Sequence, residues 1–363
     1  MFYPWVNERA VENVAAVLRS RWIGEGPKVR QFEKALCDHF GFRYAVALNS
    51  GTAALRLALA LAGVGPGDEV ITTAMTCTAT NTPILEQYAK PVFADIQYWT
   101  GNIDPFDIAH RITDRTKAIM AVHWAGYPCD LAEIHEVANR YGLPVIEDGA
   151  HALGAMYHYA PIGTISTYTM FSFQAIKQLT TGDGGLLTVQ DQETYDAARR
   201  RRWFGIDRDN RRMGLNGYAH WDQSEVGYKM QMNDIAAAIG LGNLSEIDWI
   251  LGRRHKIAAC YRAELAGVPG VHLFDNQPDR KSGDWLFTMH VDNRDGFCRM
   301  MRDHDIEVSV AHIRNDLHTI FGPRRDDLPT LDRYESSYIS IPLHNHLTDD
   351  DVERVILAIQ GGW

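Results

Sequence analysis

Short apolar runs alternate with amphipathic stretches over the first two-thirds of the chain. Residues 45–48 form an apolar run that meets a turn at Asn49-Ser50-Gly51. Residues 52–62, rich in alanine and leucine, predict a helix that ends near Gly63. Gly65-Pro66-Gly67-Asp68 reads as a turn and residues 69–73 as a strand. Further strands are predicted at 91–96, 118–123, 144–146, 168–173 and 186–189. Helical patterns intervene, such as 131–141, where Leu131, Ile134, Val137 and Ala138 recur at helical spacing. This alternation predicts an α/β domain whose mainly parallel sheet is covered by helices on both faces.

The rhythm then changes. Residues 203–230 are polar, aromatic and rich in Gly and Arg without any period, and so long a stretch is more often functional than idle. Helices are predicted at 233–250 and 254–266, strands at 285–291 and 307–310, and a helix at 295–304. A last helix begins at the cap Thr348, with Asp351 three residues on and Val352, Ile356 and Ile359 as its apolar stripe. A smaller α+β domain therefore starts near residue 250, dividing the chain into 1–250 and 251–363.

Composition narrows the function classes. A net charge of −10 argues against nucleic acid, and the one basic cluster, Arg199 to Arg202, reads first as a solvated helix face. No apolar run approaches the roughly 18–20 residues of a membrane span, and no basic leader precedes an apolar core, so a secretory signal is not expected. The five scattered cysteines suit a reducing cytoplasm better than a disulfide scaffold or a zinc site. His344 and His346 lack the partner acids and spacing of a strong metal site.

Three local features converge on one chemistry. Glu147 and Asp148 end a short apolar strand, where ligands bind on parallel sheets, although capping the turn at Gly149 is the plainer use of either acid. In Phe171-Ser172-Phe173-Gln174-Ala175-Ile176-Lys177 a strand and turn deliver one lysine among apolar neighbours. Such surroundings disfavour the ammonium and free a nucleophilic amine, whereas an ordinary lysine lies along the surface. Thr180-Thr181-Gly182-Asp183-Gly184-Gly185 follows, a polar loop that lets backbone approach a ligand. Asn49-Ser50-Gly51-Thr52-Ala53-Ala54 opens a helix with small residues, an anion site in its N–H groups or simply a cap. Pyridoxal phosphate needs all three: a lysine for its aldehyde, an acid for its ring nitrogen and an anion site for its phosphate.

At these residues the chain resembles the sugar aminotransferases of the DegT/DnrJ/EryC1/StrS family, over nearly its whole length. The segments that carry the resemblance are NSGTAALRLAL, GVGPGDEVIT, PVFADI with NIDP, TKAIMAVHWAGYPCDL, PVIEDGAHALGA and FSFQAIKQLTTGDGGLL. It implies the type I fold of pyridoxal-phosphate-dependent transferases, with a seven-stranded type of central sheet in the large cofactor-binding domain and the smaller C-terminal domain beside it. It also implies roles. Lys177 would carry the cofactor as a Schiff base and shuttle the proton, and Asp148 would pair with the pyridinium nitrogen. Gly51, Thr52, Ala53 and Ser172 would hold the phosphate, and His151 would lie by the phenolic oxygen where relatives usually have glutamine. Cys77 replaces the usual stacked aromatic, leaving Trp124 and Tyr127 as alternative stacking rings. Lys229 stands where an asparagine often reaches the partner subunit's phosphate, which makes it a cofactor contact across a homodimer interface or else a surface lysine. Relatives with histidine at the lysine position are sugar dehydratases; Lys177 favours transamination.

The reaction implied is amino transfer from an amino-acid donor, glutamate, through pyridoxamine phosphate to a nucleotide-linked 4-keto-6-deoxyhexose or related keto-sugar. Loop arginines 208–212 and the run His312-Ile313-Arg314-Asn315 are candidates to meet a diphosphate. The alternatives are a transaminase for another small ketone or aldehyde on the same fold, and a silent binding protein, which intact Lys177 and Asp148 oppose.

Overall fold

The structure, a computed structural model, describes residues 2–208, 210 and 212–363. Seven strands build the main sheet: β1 (Tyr44–Leu48), β2 (Glu69–Thr73), β3 (Lys90–Ala94), β4 (Thr116–Val122), β5 (Val145–Asp148), β6 (Tyr168–Ser172) and β7 (Gly185–Val189). Their order is β1-β7-β6-β5-β4-β2-β3. All run the same way except β7, which is antiparallel to both β1 and β6.

The strands read as unbroken apolar runs because both faces are covered. Ile119 and Ala121 enter one core with Phe32, Leu36 and Phe171, while Ala118 and Met120 enter another with Leu55, Ile146 and Met170. Successive side chains point to opposite faces, so a strand buried on both sides has no polar alternation. The same rule sends Glu147 and Asp148 to opposite faces at the end of β5.

The reversed β7 matters for the site. Its first residue, Gly185, pairs with both Leu48 and Ser172, the last residues of β1 and β6. The preceding Asp183 and Gly184 therefore return to the carboxyl edge of the sheet. A Cβ on Gly185 would lie 2.3 Å from the Ser50 carbonyl oxygen, so only glycine lets β7 pass the turn after β1.

A second, antiparallel sheet joins strands Val271–Leu273, Phe287–Val291 and Tyr338–Ile341. The helix Ile247–Leu265 serves both regions, with Ile247, Ile250 and Leu251 in the main core and Ile257, Tyr261 and Leu265 in the second. The helix expected at 233–250 is two, Asp234–Leu244 and Ile247–Leu265, broken at Ser245, whose hydroxyl turns back to the Gly242 carbonyl. The strand expected at 307–310 does not form. Only Ser309 bridges Ser340, because Ala311 takes a left-handed φ of 50° and the His312 N–H folds back to Val310. The closing helix Asp349–Gln360 has the expected capping box between Thr348 and Asp351. Most of 203–230 is irregular, with one short hairpin pairing Arg212–Met213 with Ala219–His220.

Candidate active site

A cavity of about 290 Å³ lies at the carboxyl edge of the main sheet. Of the nine residues predicted from sequence, seven line it: Gly51, Thr52, Cys77, Asp148, His151, Ser172 and Lys177. Asp183, Gly184 and His312 close other sides. Ala53 and Lys229 are not on this wall. The Ala53 N–H is taken by the Ser50 hydroxyl that caps the helix Gly51–Leu61, at 3.0 Å. Lys229 sits with its Nζ 4.2 Å from the centre of the Trp203 ring.

Each wall has a local cause. Ser50 caps the helix after β1, which turns the N–H groups of Gly51 and Thr52 toward the cavity as an anion site. A Cβ on Gly51 would lie 3.1 Å from both the Ser172 Cβ and the Met170 sulfur, so glycine lets this helix end approach β6 closely. Cys77 precedes the helix Thr78–Glu86 as its N-cap residue.

Asp148 is buried at the end of β5. Its Oδ1 accepts from the Ala150 N–H at 3.0 Å and its Oδ2 from the Thr80 hydroxyl at 2.7 Å. Burial pushes its pKa up, while those two hydrogen bonds and the nearby Lys177 pull against the rise. Both readings of the acid from sequence apply, since it caps the turn and also faces the cavity.

Lys177 is presented by the turn after β6, its N–H closing on the Gln174 carbonyl. Its Nζ lies 3.6 Å from the centre of the Trp285 ring. That indole donates to the Ile176 carbonyl at 3.0 Å and stacks on His151, ring centres 3.7 Å apart. Burial lowers the Lys177 pKa to about 7, against the raising influence of Asp148 and Cys77. A neutral amine is therefore plentiful at neutral pH. Burial and the Lys177 charge hold His151 well below the usual imidazole range and push His312 down to about 4. Both rings are neutral, and His151 Nδ1 and His312 Nε2 are buried without a hydrogen-bond partner among the described residues.

The sign of the lysine shift is testable. Below pH 7 the ammonium dominates and above it the free amine does, so capture of added pyridoxal phosphate by cofactor-free protein should accelerate through about pH 7 and then level off. Stopped-flow absorbance across the pH range measures this. A midpoint near the ordinary lysine value would show that Lys177 is solvated.

Other expectations are corrected. Arg314 meets no open surface: it is fully buried, its guanidinium held by Asp316, Asp332 and Glu335. A long cation is tolerated there because three acids surround it, which leaves it unavailable to a diphosphate. Arg202 is not on a solvated face but is buried between Glu25 and Glu33, and Arg200 and Arg201 share Glu225. In the loop 208–212, Arg208 pairs with Glu25 and lies over Trp203, and Arg211 lies outside the described residues. Of the two stacking candidates, Tyr127 is turned away, its oxygen accepting from the Gln277 N–H. Trp124 is fully buried and meets His151 edge to face, ring centres 6.0 Å apart. Sequence reading missed Trp285 and Thr80. Trp285 arrives from more than a hundred residues away and left no local signal. Thr80 lies one turn along the helix from Cys77 and was findable by that spacing.

A buried neutral-leaning amine, an acid at a strand end and an anion site at a helix N-terminus, all facing one cavity, define a pyridoxal-phosphate-dependent transferase of the type I fold. The family profile for the DegT/DnrJ/EryC1/StrS aminotransferase family matches residues 4–360, and the chain belongs to that family. It is 37% identical to the UDP-4-amino-4-deoxy-L-arabinose–oxoglutarate aminotransferase of Shewanella sediminis, over 98% of this chain and 96% of that one. Among solved structures it is similar to the sugar aminotransferase CalS13 from Micromonospora echinospora, with a TM-score of 0.95, 39% identity, and 100% and 99% of the two chains covered. The pyridoxal-phosphate form of the putative sugar aminotransferase Spr1654 from Streptococcus pneumoniae matches at a TM-score of 0.92 and 30% identity, covering 99% of this chain and 97% of that one. The protein is a pyridoxal-phosphate-dependent aminotransferase of the sugar aminotransferase family. Among the described residues, no helix is long and apolar enough to cross a membrane.

Proposed function

We propose that the enzyme moves an amino group from glutamate to a nucleotide-linked keto-sugar, a 4-keto-6-deoxyhexose, with Lys177 as the catalytic amine. The observation that carries this reading is the desolvated Lys177 amine facing Asp148 across one cavity. Nucleotide linkage is supported by the aminoarabinose enzyme, whose name gives a UDP-sugar.

Bound pyridoxal phosphate supplies an aldehyde that captures amines and a protonated ring that accepts the electron pair of a substrate C–H bond. The residues present fit it. Lys177 would offer its neutral amine to the aldehyde and, when free, would take the proton from the donor's α-carbon and deliver it to the carbon that was the cofactor's aldehyde. Asp148 would hold the proton on the ring nitrogen. The N–H groups of Gly51 and Thr52, with the hydroxyls of Thr52 and Ser172, hold the phosphate. His151, neutral, has its Nδ1 without a partner, so a group on the ring's edge would satisfy it. The Trp285 face covers the lysine and excludes water.

A homodimer is part of the proposal. Leu215, Tyr218, Trp221 and Val226 stand exposed on the irregular segment, and Trp22 and Ile23 are exposed near the N-terminus. Lys229 lies on the same segment and outside its own chain's cavity, which supports a role toward a partner's phosphate.

Absorbance of the purified holoenzyme tests the function. Glutamate should convert the yellow form to one absorbing in the near ultraviolet. Adding TDP-4-keto-6-deoxyglucose or its UDP counterpart should restore the yellow. Restoration by simple 2-keto acids only would remove the sugar acceptor and leave a transaminase of small ketones.

A further inference from the structure

Thr80 takes no part in the roles described so far, yet it touches the acid at the centre of the site. It is buried, 1% exposed, on the helix Thr78–Glu86, and its hydroxyl donates to Asp148 Oδ2 at 2.7 Å. The Thr80 hydroxyl oxygen also lies 2.7 Å from the Thr76 hydroxyl, which is buried too. A hydroxyl has one proton to donate. Since Thr80 gives its proton to the carboxylate, Thr76 must give its own to Thr80, and the chain runs Thr76 to Thr80 to Asp148.

This direction suits the ionised acid. An Asp148 protonated on Oδ2 would donate to Thr80, and both hydroxyls would turn round. Hydrogen bonds to the charged form of an acid favour that form, and in a dry interior they are strong. Further packing fixes this helix and the turn that leads into it. The Asn315 amide donates to the Thr76 carbonyl at 2.6 Å, its backbone N–H to Ala74, and Asn81 donates to the Asn315 oxygen at 2.9 Å. The other charged or titratable groups around Asp148 are Lys177, Cys77, Asp183 and His312 on the cavity walls, His151 on the following turn, and His123 with Glu147 behind the strand.

We propose that Thr80, oriented by Thr76, is a positioning residue that keeps Asp148 ionised and aimed, and so keeps the proton on the cofactor's ring nitrogen. This rests on the reading of Asp148 given above. Without the hydroxyl donor, the buried carboxylate recovers neutrality by taking the proton from the ring. The cofactor then loses its charge-assisted contact and its capacity to accept electrons.

The test compares Thr80→Val, Thr80→Ser, Thr76→Val and Asp148→Asn holoenzymes by equilibrium dialysis of pyridoxal phosphate and by pH titration of the visible band. Thr80→Val should bind the cofactor roughly ten- to hundredfold more weakly, the range for a hydrogen bond to a charged group. The pH midpoint of its band should move away from that of the wild type, and its single-turnover rate with glutamate should fall. Thr80→Ser keeps the hydroxyl and should restore both readouts. Thr76→Val should shift them in the same direction by less. A Thr80→Val protein with the wild-type midpoint and affinity overturns the proposal, and so does a Thr80→Ser protein that behaves like Thr80→Val, because the methyl would then be what counts. Were Thr80→Val to misfold, the order wild type, Thr76→Val and Thr80→Ser still decides the matter. If Asp148→Asn leaves both readouts unchanged, the reading of Asp148 falls instead.

Discussion

Replacing Lys177 with alanine is expected to lower the single-turnover rate with glutamate by about 10⁴-fold or more. A positioned acid–base group contributes up to roughly 10⁴ by itself, and here the same atom is also the nucleophile. The variant should still bind pyridoxal phosphate, because the helix N-terminus, Ser172 and Asp148 remain, but no cofactor mass should stay on the chain after borohydride reduction. Lys177→Arg sharpens the result. Arginine keeps a cation over the Trp285 ring, so packing survives, but it stays protonated at any accessible pH and cannot attack. Equal loss in both variants, with cofactor retained, points to the missing amine. Retention of a tenth or more of the rate by either one would remove Lys177 from its catalytic place.

The second large effect is on stability. Glu147 and His123 are both fully buried, with Oε2 and Nε2 2.7 Å apart. His123 Nδ1 accepts the Cys129 N–H at 3.0 Å, so that nitrogen has no proton and Nε2–H must donate to the acid. Ser166 and Thr169 donate to the other carboxylate oxygen, at 3.1 Å each. Burial pushes Glu147 up, but the bond from His123 and those from Ser166 and Thr169 outweigh it, leaving the acid below the usual range. His123→Phe removes one donor from a buried charge and the acceptor from a buried N–H, which should cost about 3–5 kcal/mol. Glu147→Gln should also destabilise, by about 2 kcal/mol, because the amide NH₂ must face either the imidazole N–H or the Ser166 N–H, and neither can accept. Guanidinium unfolding of the cofactor-free proteins measures both. Because the strand that carries Glu147 also carries Asp148, cofactor affinity should fall in step. Two variants within half of these losses would mean that water or repacking replaces the pair.

Much of the site was legible because its parts are short and contiguous. The lysine turn, the acid at a strand end and the small-residue helix start each span a few residues and follow local rules: apolar runs make strands, and Ser50 caps a helix. Those rules singled out Lys177, Asp148 and the helix start at Gly51 and Thr52, the resemblance added Cys77, His151 and Ser172, and all seven line one cavity. They failed where partners come from afar. Arg314 looked like an exposed anion ligand because, although Asp316 is near, two of its acids, Asp332 and Glu335, lie about twenty residues further on and complete its burial. Arg202 looked solvated because Glu25 and Glu33 precede it by more than 160 residues. The failed strand at 307–310 has a similar origin. Its alternation is right, but the chain turns at Ala311, where the His312 N–H closes on the Val310 carbonyl.

The sequence by itself determined the order of strands and helices, the family, and the identity of Lys177 and Asp148. Hydrophobic period, capping residues and glycine positions act over a few residues and need no distant partner. Only the tertiary structure decided the environment of those groups. The lysine's low pKa comes from burial among parts distant in sequence, the acid's hydrogen bond from Thr80 on another helix, and the neutrality of the two histidines from burial in the same cleft. Desolvation and hydrogen bonding depend on what surrounds an atom in space, and the chain brings those surroundings together only when it folds.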